Sequence, residues 1–176
     1  MTILIFILLF IISLIAVALV AAFFIKKEHY VIREITINAP PQKVYDFLKL
    51  LRNQDKFNKW AQADPNRNWE YTGTDGTEGF IISWSGNNKA GKGEKEIMKL
   101  VEGKRIETQI RFTKPMTTTA NINMELTFLP NNQTKVSMSN SGELKYPMNI
   151  FIPLAEKNFP KDMDSSLLVL KSILEE

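Results

Sequence analysis

The chain has 176 residues, 44% of them hydrophobic, with no cysteine, one histidine and a formal charge of +3. The lack of cysteine excludes a disulfide scaffold, a thiolate metal site, a cysteine nucleophile and a lipidated cysteine anchor. The 22 Lys and Arg are dispersed among 19 Asp and Glu, which argues against nucleic acid as a partner, because that function calls for clustered basic residues interleaved with aromatic ones.

From Met1 to Ile25 only Thr2 and Ser13 are polar and no side chain is charged. At about 1.5 Å per residue such a run exceeds the roughly 30 Å of a hydrocarbon core, so residues 1–25 are expected to form a transmembrane helix. A signal peptide is the alternative, and Ala18 to Ala22 could imitate its cleavage site. Signal peptides normally carry a basic start and a shorter apolar stretch, neither of which is present. Lys26 and Lys27 form the only charged flank, and the positive-inside rule then puts the following domain in the cytoplasm. Residues 28–176 carry the remaining charges and suit one globular domain, not two of ordinary size.

Residues 28–38 contain a β-branched, alternating stretch at Ile35, Thr36 and Ile37 and read as a strand. Ala39-Pro40-Pro41 stops it and opens a helix, since a proline in the first turn has no intrahelical N–H to lose. Val44, Phe47, Leu48 and Leu51 continue at helical spacing. A shorter helical or irregular piece is expected over Asp55 to Trp60, ahead of Asp64-Pro65.

Beyond Asn66 the pattern becomes six short runs separated by turn residues: 69–72, 80–85, 94–101, 105–113, 118–129 and 134–144. Connections this short imply an antiparallel meander. Ile106, Thr108, Ile110 and Phe112 alternate with Arg105, Glu107, Gln109 and Arg111, and Ile122, Met124, Leu126 and Phe128 alternate in the same way, so one face is wet and the other covered. The cover is expected from a C-terminal helix in which Met163, Leu167, Leu170 and Leu174 recur at helical spacing, with Pro160 near its start; residues 145–159 have no clear assignment.

Gly86 to Gly93 fits the G-x-x-x-x-G-K part of a phosphate loop, but Gly93 stands where a Ser or Thr hydroxyl is needed and a strand follows instead of a helix, so a hairpin loop is expected. The carboxylates show no spacing of a catalytic pair. His29 sits beside the membrane segment, and one histidine without cysteine offers no metal set, so neither catalytic nor metal-ligating residues are assigned. No cofactor is expected. Asn132-Gln133-Thr134 is a formal glycosylation acceptor in a tight turn and carries no weight. The remaining signal is a set of apolar residues on inward faces, Trp60, Tyr71, Ile82, Trp84, Ile110, Phe112, Met124, Met138, Met163 and Leu167, which either fill a core or line a small-molecule cavity.

Residues 35–48, Ile-Thr-Ile-Asn-Ala-Pro-Pro-Gln-Lys-Val-Tyr-Asp-Phe-Leu, resemble the opening of the START-like (SRPBCC, Bet v 1-like) ligand-binding domains. There a strand ends in Asn-Ala-Pro and an aromatic residue follows on the first helix. Phe57 and Trp60, Gly91 to Ile97 with Arg105-Ile106, and Lys161 to Met163 with Leu167 to Lys171 are similar in order to later parts of that family. The resemblance covers residues 30–176 and implies an α+β helix-grip fold: a seven-stranded antiparallel sheet around a long C-terminal helix, enclosing a cavity. It also implies a lipid or other apolar small molecule as partner. Members are often labelled polyketide cyclase or dehydrase, yet no acid-base residue is evident here on an inward face. A membrane segment is an addition to the minimal domain, found in some bacterial members. Three functions compete: a membrane-anchored binding domain, an interaction or regulatory domain with a filled interior, and a cyclase-type enzyme. An inward ionisable group with a perturbed pKa would favour the enzyme, a continuous apolar void the binder, and a packed interior with an exposed apolar patch the interaction domain.

Overall fold

A computed structural model describes residues 2–64, 66–87 and 90–176. Pro65, in the expected turn, and Asn88 and Lys89, in the Gly86–Gly93 loop, lie outside the described residues. The element order is α1 (Thr2–Phe24), β1 (Glu28–Ile37), α2 (Pro41–Leu48), α3 (Leu51–Phe57), β2 (Asn68–Thr72), β3 (Ile81–Ser85), β4 (Lys92–Val101), β5 (Arg105–Lys114), β6 (Thr118–Leu129), β7 (Gln133–Glu143) and α4 (Ile152–Glu175). Single 3-10 turns lie at Ala61–Ala63 and Met148–Phe151.

The seven strands form one sheet of order β1-β7-β6-β5-β4-β3-β2, antiparallel at every pair. Strands β2 to β7 are a meander, and β1 closes beside β7, so Ile35 faces Val136 and Val31 faces Asn140. Helix α4 runs across the concave face. Its residues Met163, Leu167, Leu170 and Leu174 pack with Ile37, Val44, Tyr45, Leu48, Ile106, Met124 and Val136. Burying aliphatic side chains of this size is worth roughly 1.5–3 kcal/mol each, which makes this cluster the principal source of stability. Phe128 continues the inward alternation of β6 but is exposed at the strand's end.

Two helical expectations are corrected. Leu51 does not continue the stripe of Val44, Phe47 and Leu48, because Leu50 is extended and a separate helix begins after it. That helix is capped from a distant hairpin: the Leu51 and Arg52 amides donate to the two carboxylate oxygens of Asp75 at 2.8 and 3.3 Å. Pro160 is not near the start of the last helix but inside it, since α4 begins at Ile152 with Pro153 in the first turn. A proline interior to a helix loses one backbone hydrogen bond; burial of Ile152 on one side of it and Met163 on the other offsets that loss.

Helix α1 is long and apolar enough to cross a membrane, and none of its most apolar stretch is buried against the domain. Its last turn is nevertheless fastened. The Asn149 side-chain amide donates to the carbonyls of Ala22 (2.6 Å) and Ile25 (2.7 Å) at the C-terminal end of the helix, where carbonyls lack i+4 partners. Lys26 pairs with Glu156 of α4 at 2.6 Å, and the Leu144 amide donates to the Lys27 carbonyl at 2.8 Å.

Candidate functional site

The concave face divides along α4. In the half of the sheet that contains the end of β6, the second half of α4 packs tightly, with Met163 and Leu170 fully buried. In the other half, where β1 starts and β7 ends, a cavity of about 310 Å³ lies between the sheet and the first half of α4, which lines it with Ala155 and Phe159. This is the end of the sheet to which α1 is attached, because β1 begins three residues after Ile25. The volume is at the lower end of the range for small-molecule sites.

Most of the wall is apolar. Ile82 and Trp84 of β3, Ile110 and Phe112 of β5, Ala120 and Ile122 of β6 and Met138 of β7 line it from the sheet, with Trp60, Trp69 and Leu144 from connecting segments and strand ends. Trp84 meets Phe112 edge-on at 5.6 Å, and Trp60 meets Phe159 edge-on at 5.9 Å. Two glycines allow this packing by close approach. A Cβ on Gly93 would lie 2.9 Å from the Trp84 ring and 2.7 Å from the Arg111 carbonyl oxygen, and one on Gly142 would lie 2.8 Å from Cε1 of His29. Trp84 is further held by its indole N–H, which donates to the Ala90 carbonyl at 2.9 Å.

Polar groups gather at two places on this wall. On one side, His29 Nε2 is 3.0 Å from Asn140 Oδ1, while Nδ1 is buried without a hydrogen-bond partner among the described residues. On the other side, Lys95 projects from β4 and donates to the Gln54 side-chain carbonyl. Asp55 and Arg67 complete this group, with Arg67 Nη2 3.9 Å from Asp55 Oδ1 and its guanidinium 3.8 Å above the Trp69 ring. Burial lowers the Lys95 ammonium to about 8, with the nearby Asp55 charge opposing the effect. Burial likewise raises the Asp55 carboxyl, against the attraction of Lys95 and Arg67. Both shifts express the cost of removing charge from water.

Six of the ten residues singled out from sequence line this cavity: Trp60, Ile82, Trp84, Ile110, Phe112 and Met138. Met124, Met163 and Leu167 are instead in the packed core, where the second half of α4 closes on the sheet. Tyr71 faces inward but lies on the edge strand β2, half exposed, stacked on Phe80 at 6.5 Å and covered by the Arg52 guanidinium at 4.1 Å. The expectation that inward faces carry no acid-base group is overturned by Lys95, and His29, read as lying beside the membrane segment, is on the cavity wall. A signal for Lys95 was present. It is in phase with Gly93 and Ile97 on a central strand, so a strand reading of 92–101 turns it inward. His29 is likewise in phase with Val31 and Ile37 on β1, whereas the placement of Asp55 and Arg67 depends on how helices and loops dock and has no such pattern.

Neither a family model nor a curated protein matches the chain. Its seven-stranded antiparallel sheet and long C-terminal helix constitute a Bet v 1-like helix-grip fold, and solved structures share it. Truncated norcoclaurine synthase from Thalictrum flavum matches 85% of this chain and 95% of its own length at a TM-score of 0.64 and 12% identity. A hypothetical protein from Helicobacter pylori matches 83% of this chain and 88% of its own at 0.64 and 11%. The Aha1 dimer from Colwellia psychrerythraea matches 84% and 96% at 0.56 and 23%. These likenesses are of fold, and one fold hosts many functions.

Proposed function

We propose that the chain is a membrane-anchored binding domain, with residues 1–25 as the anchor and 28–176 as a domain that holds a lipid or other apolar small molecule. The observation that carries this reading is the cavity of about 310 Å³ with aromatic and aliphatic walls between the sheet and the first half of α4. A filled interior, as an interaction domain would have, is disfavoured by that space. Its location at the α1 end supports the membrane as the source of ligand, as do Tyr146, Met148 and Phe151 on the segment joining β7 to α4 and Leu154 in the first turn of α4, all exposed. Lys26 and Lys27 favour a cytoplasmic domain.

Native mass spectrometry of the full chain released from its own membranes tests the reading directly: a co-released small molecule is expected. Carbonate washing should leave the full-length chain in the membrane, and external protease should not reach the domain in intact cells. A chain that carries nothing and takes up no apolar probe would return the interaction-domain reading to first place.

One observation favours a second reading. An amine buried beside a cavity and lowered to about 8 is suited to attack a carbonyl carbon, so an enzyme of carbonyl substrates is the alternative. Borohydride reduction in the presence of an aldehyde would then fix a covalent adduct on Lys95. Its absence at full probe occupancy removes that reading.

A further inference from the structure

The polar group at one side of the cavity is short of ionised hydrogen-bond acceptors. Lys95 and Arg67 bring two cations to the wall and Asp55 brings one carboxylate. Asp64 is a second anion near Arg67, but its carboxylate oxygens accept from backbone, the Asn66 amide at 3.1 Å and the Asn87 amide at 2.7 Å. Lys95 has a neutral amide, that of Gln54, as its hydrogen-bond acceptor. The Arg67 side chain is only 6% exposed, and its Nε is buried without a hydrogen-bond partner among the described residues. Buried donors are normally satisfied, and a buried cation normally has a counter-ion.

We infer that this cavity takes a monoanionic amphipath, a single apolar chain or ring system ending in a carboxylate, with the head between Lys95 and Arg67 and the apolar body along Trp84, Ile110, Phe112 and Ala120. The inference rests on the ligand-binding reading above and adds the class of ligand. One carboxylate supplies the ionised acceptor oxygens that Lys95 and the Arg67 Nε lack, and it adds less negative charge than a dianionic phosphate to a group that already holds Asp55 and Asp64. A space of about 310 Å³ suits one chain and not a two-tailed lipid. Charge-assisted hydrogen bonds in such surroundings are short, strong and directional. The alternative chemistry, a neutral apolar ligand, would leave the Lys95 ammonium with a neutral acceptor and the buried Arg67 Nε with none among the described residues.

The reporter is built in, because all three tryptophans of the chain, Trp60, Trp69 and Trp84, line the cavity. The full chain in phosphatidylcholine nanodiscs is titrated with 8-bromooctanoate and, separately, with 8-bromooctan-1-ol. Bromine quenches indole fluorescence, and a chain-free disc corrects for partition into the bilayer. At pH 7 the carboxylate is expected to bind about tenfold more tightly than the alcohol, the factor that one additional charge-assisted contact supplies.

The preference should shrink as pH rises from 7 to 9.5, because Lys95 loses its proton near 8 in the free protein, while binding of the alcohol stays level. The charged and titratable groups facing Lys95 are Asp55 from α3, Arg67 from the segment before β2 and Tyr71 from β2, with His29 on the far wall; Glu94 and Glu96 on its own strand point outward to Arg111. Lys95→Met assigns the effect: it should keep alcohol binding, lose the preference and flatten the pH dependence. Should that variant not fold, the pH series on the parent decides alone. Equal binding of acid and alcohol by the parent at pH 7 overturns the anion inference and leaves the cavity reading standing. Binding of neither overturns both.

Discussion

Replacing Ala120 by leucine adds three carbons near the start of β6, at a point where the wall faces open space between Ile110, Phe112 and Ile122. Replacing Met124 by tryptophan, two turns of the pleat further along the same inward face, adds bulk where Met124 is 2% exposed and surrounded by core. The two substitutions therefore have opposite expected signs. Added atoms in a packed interior cost about 1–3 kcal/mol, and for a chain of this size each kcal/mol lowers Tm by roughly 2–4 °C, so Met124→Trp should melt about 2–12 °C below the parent. At Ala120 the added carbons enter the cavity, where each buried methylene is worth up to about 0.8 kcal/mol, so the change should be neutral or stabilising by up to about 2 kcal/mol. Thermal melts followed by circular dichroism give the first quantity, and uptake of a fluorescent fatty-acid probe gives the second. Ala120→Leu should weaken uptake at unchanged or higher Tm, and Met124→Trp should lower Tm. If Ala120→Leu melts as early as Met124→Trp, the space beneath Phe159 is not available volume and the ligand-binding argument fails.

Three further outcomes follow from the packing. Leu170→Ala, at a fully buried position on α4, should cost about 2–5 kcal/mol in urea unfolding; a loss below about 0.5 kcal/mol would mean that α4 does not grip the sheet. Asp75→Ala removes the remote cap of α3 and should cost about 0.5–2 kcal/mol; amide exchange at Leu51 and Arg52 should quicken more than exchange in β5, and uniform acceleration would contradict a local capping role. Asn149→Ala releases the last carbonyls of α1, so limited trypsin digestion in nanodiscs should cut faster after Lys26 and Lys27, while the melting of the sheet moves by less than about 2 kcal/mol. Unchanged cleavage would show that Asn149 does not hold the anchor to the domain.

Much of this protein was legible along the chain because its information is periodic. An uncharged run from Met1 to Ile25 specifies a helix as long as a bilayer is thick. Alternation in 105–113 and 118–129 sorts inward from outward residues on β5 and β6 without knowledge of their partners, since the pleat reverses direction at each residue. The same rule, applied to 92–101, turns Lys95 toward the cavity once the charged sequence Lys-Gly-Glu-Lys-Glu is accepted as strand.

What tertiary structure decided was where the inward face is filled and where it is open. Met124 and Ala120 lie on one strand and one face, yet one is core and the other cavity wall, because Met124 shares a packed cluster with Leu167 and Leu170 of α4, whereas Ala120 shares the cavity wall with Ala155 and Phe159. No local pattern encodes that difference, which arises from the path of a helix more than thirty residues away in sequence. The same holds for the Asp75 cap, the Asn149 clasp on α1, and the meeting of Lys95 with Asp55 and Arg67. Each brings together groups from elements that periodicity describes one at a time, and only docking of those elements fixes the distances on which their electrostatics depend.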